Sequence, residues 1–365
     1  MEKKEDPQGL QSVKRRLLMQ GGPALLTAAA GVAAMAGAPA AAMAAETAAT
    51  VLPAHKRWKL VFVNHVTTNP FFVATRYGIQ DACTLFGCDY QWTGSETAVV
   101  GEMVNAMNAA IAGQADAIGV AIVDPNAFNG PTEAALKAGI PVFSYNADAP
   151  AASGNKRLAY IGQDLYKSGY HMGEKIVELV GSGHVALFIA TPGQLNIQPR
   201  IDGAIAAIKA SGKPITYDAI ATGATIDVEL PKIKAYYLGH QDVKGMFAVD
   251  AGSTQCVGQT MQEFHLTQKG IHGGGFDLVP RTLEYIHSSV LDFTIDQQPY
   301  LQGFYTVMEM VMYLASGGLT GPADINTGLK FVTKTTVDPY LKTSTRYEGN
   351  GSKAQIVPRS GPIVG

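Results

Sequence analysis

The sequence predicts an α/β protein of two similar doubly wound parallel-sheet lobes joined by a three-crossing hinge. Short apolar runs alternate with longer amphipathic ones from Lys59 to Phe276, the pattern of parallel strands covered by helices on both faces. The alternation occurs twice, with landmarks at a nearly constant offset. The chain of 365 residues, 47% of them apolar and 16% charged, is also longer than one domain usually is.

In order, Leu60 to Val63 reads as a buried strand, and Phe71 to Phe86 as a helix stopped by Gly87. Tyr90 to Trp92 is the second strand, and Ala98 to Ala112 the second helix, with Gly113 behind it. Ala117 to Val123 is a strand, followed by a helix near Thr132–Ala138 and a strand at Pro141–Tyr145. The second round gives a strand at Val185–Ala190, a helix at Arg200–Ala210 stopped by Gly212, and a strand at Tyr217–Ala221. A helix at Leu230–Leu238, a strand at Met246–Val249, a helix near Thr254–Phe264 and a strand ending at Phe276 complete it. Gly78 and Gly203 lie 125 residues apart, as do Gly87 and Gly212; Asp124 and Asp250 are 126 apart, and Asn146 and Asp277 131. Matches in this order indicate duplicated lobes. The expected division is 57–162 plus 297–326 for the first lobe and 163–296 plus 327–342 for the second. Hinge crossings are expected near Tyr160–Asp164, Asp296–Pro299 and Ile325–Gly328, and an irregular tail over 343–365.

Residues 1–44 are excluded from the fold. Lys14-Arg15-Arg16-Leu17-Leu18-Met19 is a twin-arginine pattern before a weakly apolar run that closes on Ala42-Met43-Ala44, a small-x-small cleavage pattern. Pro23, Pro39 and the many Ala and Gly residues make this run a poor membrane span. An exported, periplasmic protein is therefore expected. Lys and Arg total 28 against 30 Asp and Glu, and removal of the segment leaves 23 against 27. A balance so near neutral argues against nucleic acid as a partner.

Cys83 and Cys88 stand at a helix end and the next strand start. An oxidising destination permits a disulfide there, and two partly buried thiols are the equal alternative. Cys256 and the eight scattered His residues make no metal-site spacing, so neither metal nor cofactor is expected. Gly181-Ser182-Gly183 reads as a turn, and Gly273-Gly274-Gly275 lacks the strand-to-helix setting of a phosphate cradle.

In open parallel sheets ligands bind beyond the carboxyl ends of the strands. Asp124, Asn146, Asp250 and Asp277 stand at such ends; Asn69-Pro70-Phe71-Phe72 follows the first strand, and Ile295-Asp296-Gln297-Gln298-Pro299 lies at a crossing. Carboxylates and amides beside aromatic faces suit a sugar ring, with its apolar C–H faces and hydroxyl edges. An acidic site without an evident Lys or Arg clamp favours an uncharged ligand over a phosphate. Asn69, Asp250 and Asp277 also have a capping reading, Phe71 and Phe72 a core reading, and Asn146 a turn reading. Asp124, before Pro125, reads better as a turn or cap.

Asn69-Pro70-Phe71-Phe72 with Gly78, Ala138-Gly139-Ile140-Pro141-Val142, Gly275-Phe276-Asp277, Thr294 to Tyr300 with Gly303, Val332-Thr333-Lys334 and Val337-Asp338 stand in one order. In this the chain resembles the ribose- and galactose-type periplasmic sugar-binding proteins, type I solute-binding proteins of ABC transporters, from about Trp58 to Tyr340. They share their core with the ligand domains of lac-repressor-like regulators. The resemblance implies ligand contacts from Asn69, Phe71, Phe72, Asn146, Asp250, Asp277 and Gln297, with Trp92, Tyr145, Gln194, Asn196, Gln198 and Arg200 as a second rank. Asn146 stands where the family usually has aspartate, Ala147 where ribose binders have arginine, and Asp250 where asparagine is frequent. Arg200 matches a basic residue close to the site, and Gln198 takes the place of the ribose-contacting arginine. These departures move the ligand away from ribose and admit an amino sugar, a polyol or a cationic ligand.

No Gly-x-Ser-x-Gly elbow and no His-Glu-x-x-His occurs, and no catalytic residue is expected. Acid/base work on a glycoside by Asp250 and Asp277 is the enzymatic alternative. A cytoplasmic regulator would need an N-terminal helix-turn-helix, where an export signal stands instead. The expected function is capture of a monosaccharide or polyol by hinge closure, as a monomer serving an ABC permease and its ATPase. Presentation of the ligand to a membrane receptor is the alternative of the same fold.

Overall fold

The computed structural model describes residues 52–319, 321–343 and 346–349. The export segment 1–44, and the tail apart from its residues at 343 and 346–349, lie outside the described residues. Among those described, no helix is long and apolar enough to cross a membrane.

The first sheet has the order β2-β1-β3-β4-β5-β11 and is parallel throughout. Its strands are β1 (Trp58–Asn64), β2 (Cys88–Gly94), β3 (Ala117–Val120), β4 (Val142–Tyr145), β5 (Tyr160–Gly162) and β11 (Asp324–Asn326). β3 and β4 are buried along their whole length and β1 at all but Lys59, as strands covered on both faces must be. Helices α1 (Phe72–Phe86), α2 (Val100–Ala112) and α3 (Asn129–Lys137) connect them. α1 ends as expected at Gly87, whose left-handed backbone (φ 68°) returns its N–H to Cys83 O.

The second sheet, β7-β6-β8-β9-β10-β12, is parallel except for its last strand. It comprises β6 (Gly183–Ile189), β7 (Ile215–Ala221), β8 (Gly245–Ala248), β9 (His272–Phe276), β10 (Phe293–Asp296) and β12 (Lys330–Thr333). Its helices are α4 (Leu165–Val180), α5 (Gln198–Ala210), α6 (Ile226–Gly239), α7 (Ala251–Glu263), α8 (Pro280–His287) and α10 (Asp338–Leu341). α9 (Pro299–Ser316) returns to the first lobe and packs on α1.

The duplicated glycines mark the same contact twice. A Cβ on Gly78 of α1 would lie 2.0 Å from Tyr300 O of α9, and one on Gly203 of α5 2.1 Å from Tyr166 O of α4. Each lobe thus joins two helices at backbone contact, which only glycine permits. The sequence passes over α4 because Ser168, Gly169 and Gly173 interrupt its apolar stripe of Leu165, Met172 and Ile176.

The chain crosses between lobes at Gln163–Asp164, Gln297–Gln298 and Thr327–Leu329. Side chains lace these crossings: Gln163 Nε2 donates to Gly328 O (3.1 Å), Thr327 Oγ1 to Gln297 O (2.9 Å), and Gln298 Nε2 to Thr327 O. The tail makes a further contact with the first lobe. Arg346 donates to Asp81 Oδ1 (2.6 Å) and Gln80 Oε1 (2.9 Å) of α1, and the Tyr347 ring lies 4.8 Å from that of Tyr300.

Cys83 and Cys88 are unbonded. The Gly87 turn joins the last turn of α1 to the start of β2, and both cysteines stand there as free, buried thiols, the second of the two readings left open by the sequence.

Candidate functional site

The carboxyl ends of the two sheets face each other, and a cavity of about 50 Å³ lies between them. A larger hollow of about 330 Å³ under the edge of the first sheet draws on one lobe and on Ala106, Ala109 and Ala110. The small cavity is the one that gathers buried polar groups from both lobes.

From the first lobe come His65, Asn69, Phe71, Phe72 and Asn146. Asn69 Oδ1 accepts from Phe71 N (3.0 Å), so it holds the turn into α1 while lining the cavity. Phe71 and Phe72 pack edge to face at 4.8 Å and meet Ala251 and Val279 of the other lobe. Asn146 follows β4 in left-handed backbone (φ 63°), which asparagine tolerates better than most residues.

The second lobe contributes Asn196, Ile197, Arg200, Asp250, Ala251 and Asp277. Asp250 caps α7: Oδ1 accepts from Ser253 N (2.8 Å), and Oδ2 accepts from Ala190 N at the end of β6 (3.0 Å). Asp277 follows β9 in left-handed backbone (φ 79°), as Asn146 follows β4.

A side-chain relay joins these equivalent residues through the hinge. Asn146 Nδ2 donates to Gln302 Oε1 (3.2 Å), Gln302 Nε2 to Gln297 Oε1 (3.0 Å), and Gln297 Nε2 to Asp277 Oδ1 (2.7 Å). Every member is at least 95% buried. The relay consumes donors in sequence, so Asn146 Oδ1 and Asp277 Oδ2 are left as acceptors at its two ends.

The sequence expected an acidic site without an evident Lys or Arg clamp and held Arg200 in the second rank; the structure sets the Arg200 side chain on the cavity. Arg200 is 2% exposed, donates to Val249 O (2.9 Å) and Gln163 Oε1 (3.3 Å), and lies 4.1 Å from the centre of the Phe276 ring. α5 starts at Gln198 with Pro199 in its first turn, which turns Arg200 inward. Gln198 points away, accepting from Gly193 N and donating to Asp202 Oδ1. Burial pushes the Asp277 carboxyl up to about 6 against the pull of Arg200. It raises Asp250 as well, despite the two backbone N–H groups there. Burial, helped by Arg200, lowers His65 to about 4 and keeps its ring neutral.

All seven first-rank residues thus surround one cavity, with Asn196 and Arg200 of the second rank. The other four stand off it. Trp92 lies behind Phe72 and donates to Thr67 O; Tyr145 OH accepts from Asn64 Nδ2 in the core; Gln198 faces outward. Gln194 Nε2 donates across the cleft to Ala98 O (2.9 Å). With Leu195 N on Val123 O (2.8 Å), it holds the lobes together. Asp124 turns its own loop, accepting from Asn126 N and Ala127 N. His65, Ile197, Ala251 and the relay member Gln302 escape the sequence reading. His65, one residue past β1, follows the same strand-end rule that finds Asn146 and Asp277.

The periplasmic binding protein domain matches residues 60–318. The xylose/arabinose-binding protein XylF of Sulfolobus acidocaldarius is 53% identical over 313 residues, 82% of this chain and 77% of that protein. A solute-binding protein of an ABC transporter from Burkholderia graminis, solved with D-arabinose, superposes with a TM-score of 0.74 at 24% identity. The match covers 80% of this chain and all of that one. GanP, a glucose-galactose binding protein from Geobacillus stearothermophilus, matches with a TM-score of 0.71 at 24% identity, over 78% of this chain and all of its own.

Proposed function

The chain belongs to the periplasmic binding protein domain family, and from that premise we propose that it captures a monosaccharide, a pentose before others, for an ABC importer. The observation that carries this reading is the cavity between the lobes at which acceptors of both, Asn146 and Asp277, terminate one buried relay. Ring hydroxyls donate to such acceptors, and Phe71 and Phe72 offer an apolar wall to the C–H face of the ring. Arg200 sits among Asp250 and Asp277, so the charges are largely answered within the protein, which suits an uncharged ligand. The 53% identity to a xylose/arabinose-binding protein supports a pentose in particular.

Binding rather than catalysis accords with the carboxylates. Both oxygens of Asp250 hold backbone N–H groups and are committed to the fold. A sugar held by one lobe adds contacts for the other, so its binding free energy shifts the hinge toward the closed form. That form then docks on a permease driven by a separate ATPase. The twin-arginine pattern at Lys14-Arg15-Arg16 supports export, with the segment through Ala44 removed.

A thermal-shift screen against pentoses, hexoses, polyols, amino sugars and small amines tests the proposal. A ligand bound only by the native state raises the melting temperature, and D-xylose or L-arabinose is expected to give the largest rise. A response to an amine with none to any sugar would overturn the ligand class.

A further inference from the structure

His65 and Asn196 stand on opposite lobes, one just beyond β1 and the other before α5, and meet across the cleft at 3.1 Å. An amide nitrogen can only donate, so Asn196 Nδ2 donates to His65 Nε2 and the imidazole proton sits on Nδ1. Each residue then carries one more polar atom, and neither has a partner among the described residues: the His65 Nδ1–H donor and the Asn196 Oδ1 acceptor are both buried. Arg200 Nε, on the same cavity, is likewise buried without a described partner. Native proteins leave few buried polar atoms unpaired, and here three belong to residues that line one cavity.

We propose that His65 and Asn196 form a cross-cleft reader of the sugar's hydroxyl pattern, His65 Nδ1–H donating to a ring hydroxyl and Asn196 Oδ1 accepting from one. The assignment rests on the sugar reading of the cleft. It adds two residues that the implied family site leaves out of its first rank. The reader exists only with the lobes together, because each half belongs to a different lobe. A ligand without the matching hydroxyl therefore closes the cleft at the cost of leaving the pair unsatisfied, and the protein discriminates against it when the lobes close. Burial beside the cationic Arg200 keeps the imidazole neutral, which preserves Nε2 as the acceptor for Asn196.

The test is calorimetric titration of the parent protein, His65→Phe and Asn196→Ala with D-xylose and its monodeoxy derivatives. Phenylalanine keeps the ring that packs edge-on against Phe72 (5.3 Å) and removes both nitrogens. Melting temperatures of the unliganded variants check folding, and Asn196→Ala probes the pair from the other lobe. The parent is expected to reject the deoxy sugars. His65→Phe should bind D-xylose roughly 10–100-fold more weakly and lose its discrimination against one deoxy sugar while keeping it against the others. Equal loss for every sugar, or native affinity throughout, would overturn the reader and leave the sugar site standing. A parent protein that binds no sugar would overturn both.

Discussion

β4 of the first lobe ends at Asn146 and β9 of the second at Asp277, both in left-handed backbone and both on the cavity. One step earlier in each lobe the correspondence breaks. Asp250 caps its helix and lines the cavity, whereas Asp124 turns its own loop, its hydrogen bonds among the described residues coming from Asn126 N and Ala127 N. The first lobe fills its share of the wall with Phe71 and Phe72; the second supplies the charges, Asp250, Asp277 and Arg200. Duplication thus preserves the backbone geometry of strand ends while side-chain roles diverge, one lobe giving an apolar face and the other a polar edge. The last strands differ too: β11 joins its sheet parallel and β12 antiparallel, because the chain enters the second lobe from the hinge only a few residues after leaving the first.

The largest expected effect breaks the comparison at its strongest point. Asp277→Ala removes the relay's end and a carboxylate facing the buried Arg200. Sugar affinity measured by titration should fall by at least about 1,000-fold. The unliganded protein should also melt several degrees lower, since the guanidinium loses a compensating charge.

The lobes also titrate in opposite senses. His65 is lowered from 6.5 to about 4, so the native state binds fewer protons than the unfolded one in that window, and stability falls as the pH drops through it. Asp277 is raised from 3.8 to about 6, so the native state there binds more protons, and stability rises as the pH drops. Each amounts to about 3 kcal/mol, and in the parent they offset. Urea unfolding at pH 6.5 and 4 should show His65→Phe gaining about that much relative to the parent on acidification, and Asp277→Asn losing it. Variants that track the parent would remove this contrast.

Smaller again is the contrast of the paired aspartates. Asp250→Ala deletes a helix cap and the tie to Ala190, and should cost about 1–2 kcal/mol together with sugar affinity. Asp124→Ala should stay within about 0.5 kcal/mol and bind as the parent does. Arg346→Ala in the tail belongs with these small effects, its surface pair with Asp81 being worth at most about 1 kcal/mol.

What is legible in the sequence follows from local rules. Strands buried on both faces read as apolar runs, and Gly87 and Gly113 mark helix ends, so the central strands of both sheets and most of their helices are visible, while β5, β10, β11 and β12, short and next to the hinge, are not. Asn146 and Asp277 are visible because strand ends face ligands and because few other residues accept left-handed backbone. α4 is hidden because packing against α5 needs Gly169 and Gly173 where a periodic pattern needs apolar side chains. The inward turn of Arg200 depends on where α5 begins. Gln302 is hidden for another reason: it lies a full turn into α9 and acts through Gln297 and Asn146, a relation that only the assembled hinge creates.

The relay is therefore the most direct test of the account. Gln302 stands off the cavity, yet it joins the cavity-lining residues of the two lobes. Calorimetric titration of Gln302→Leu with D-xylose should give affinity about 10–100-fold below the parent, and combining it with Asp277→Asn should cost less than the two losses added together. Parental affinity in Gln302→Leu, or strictly additive losses, would contradict the claim that one relay holds both lobes' acceptors on the sugar.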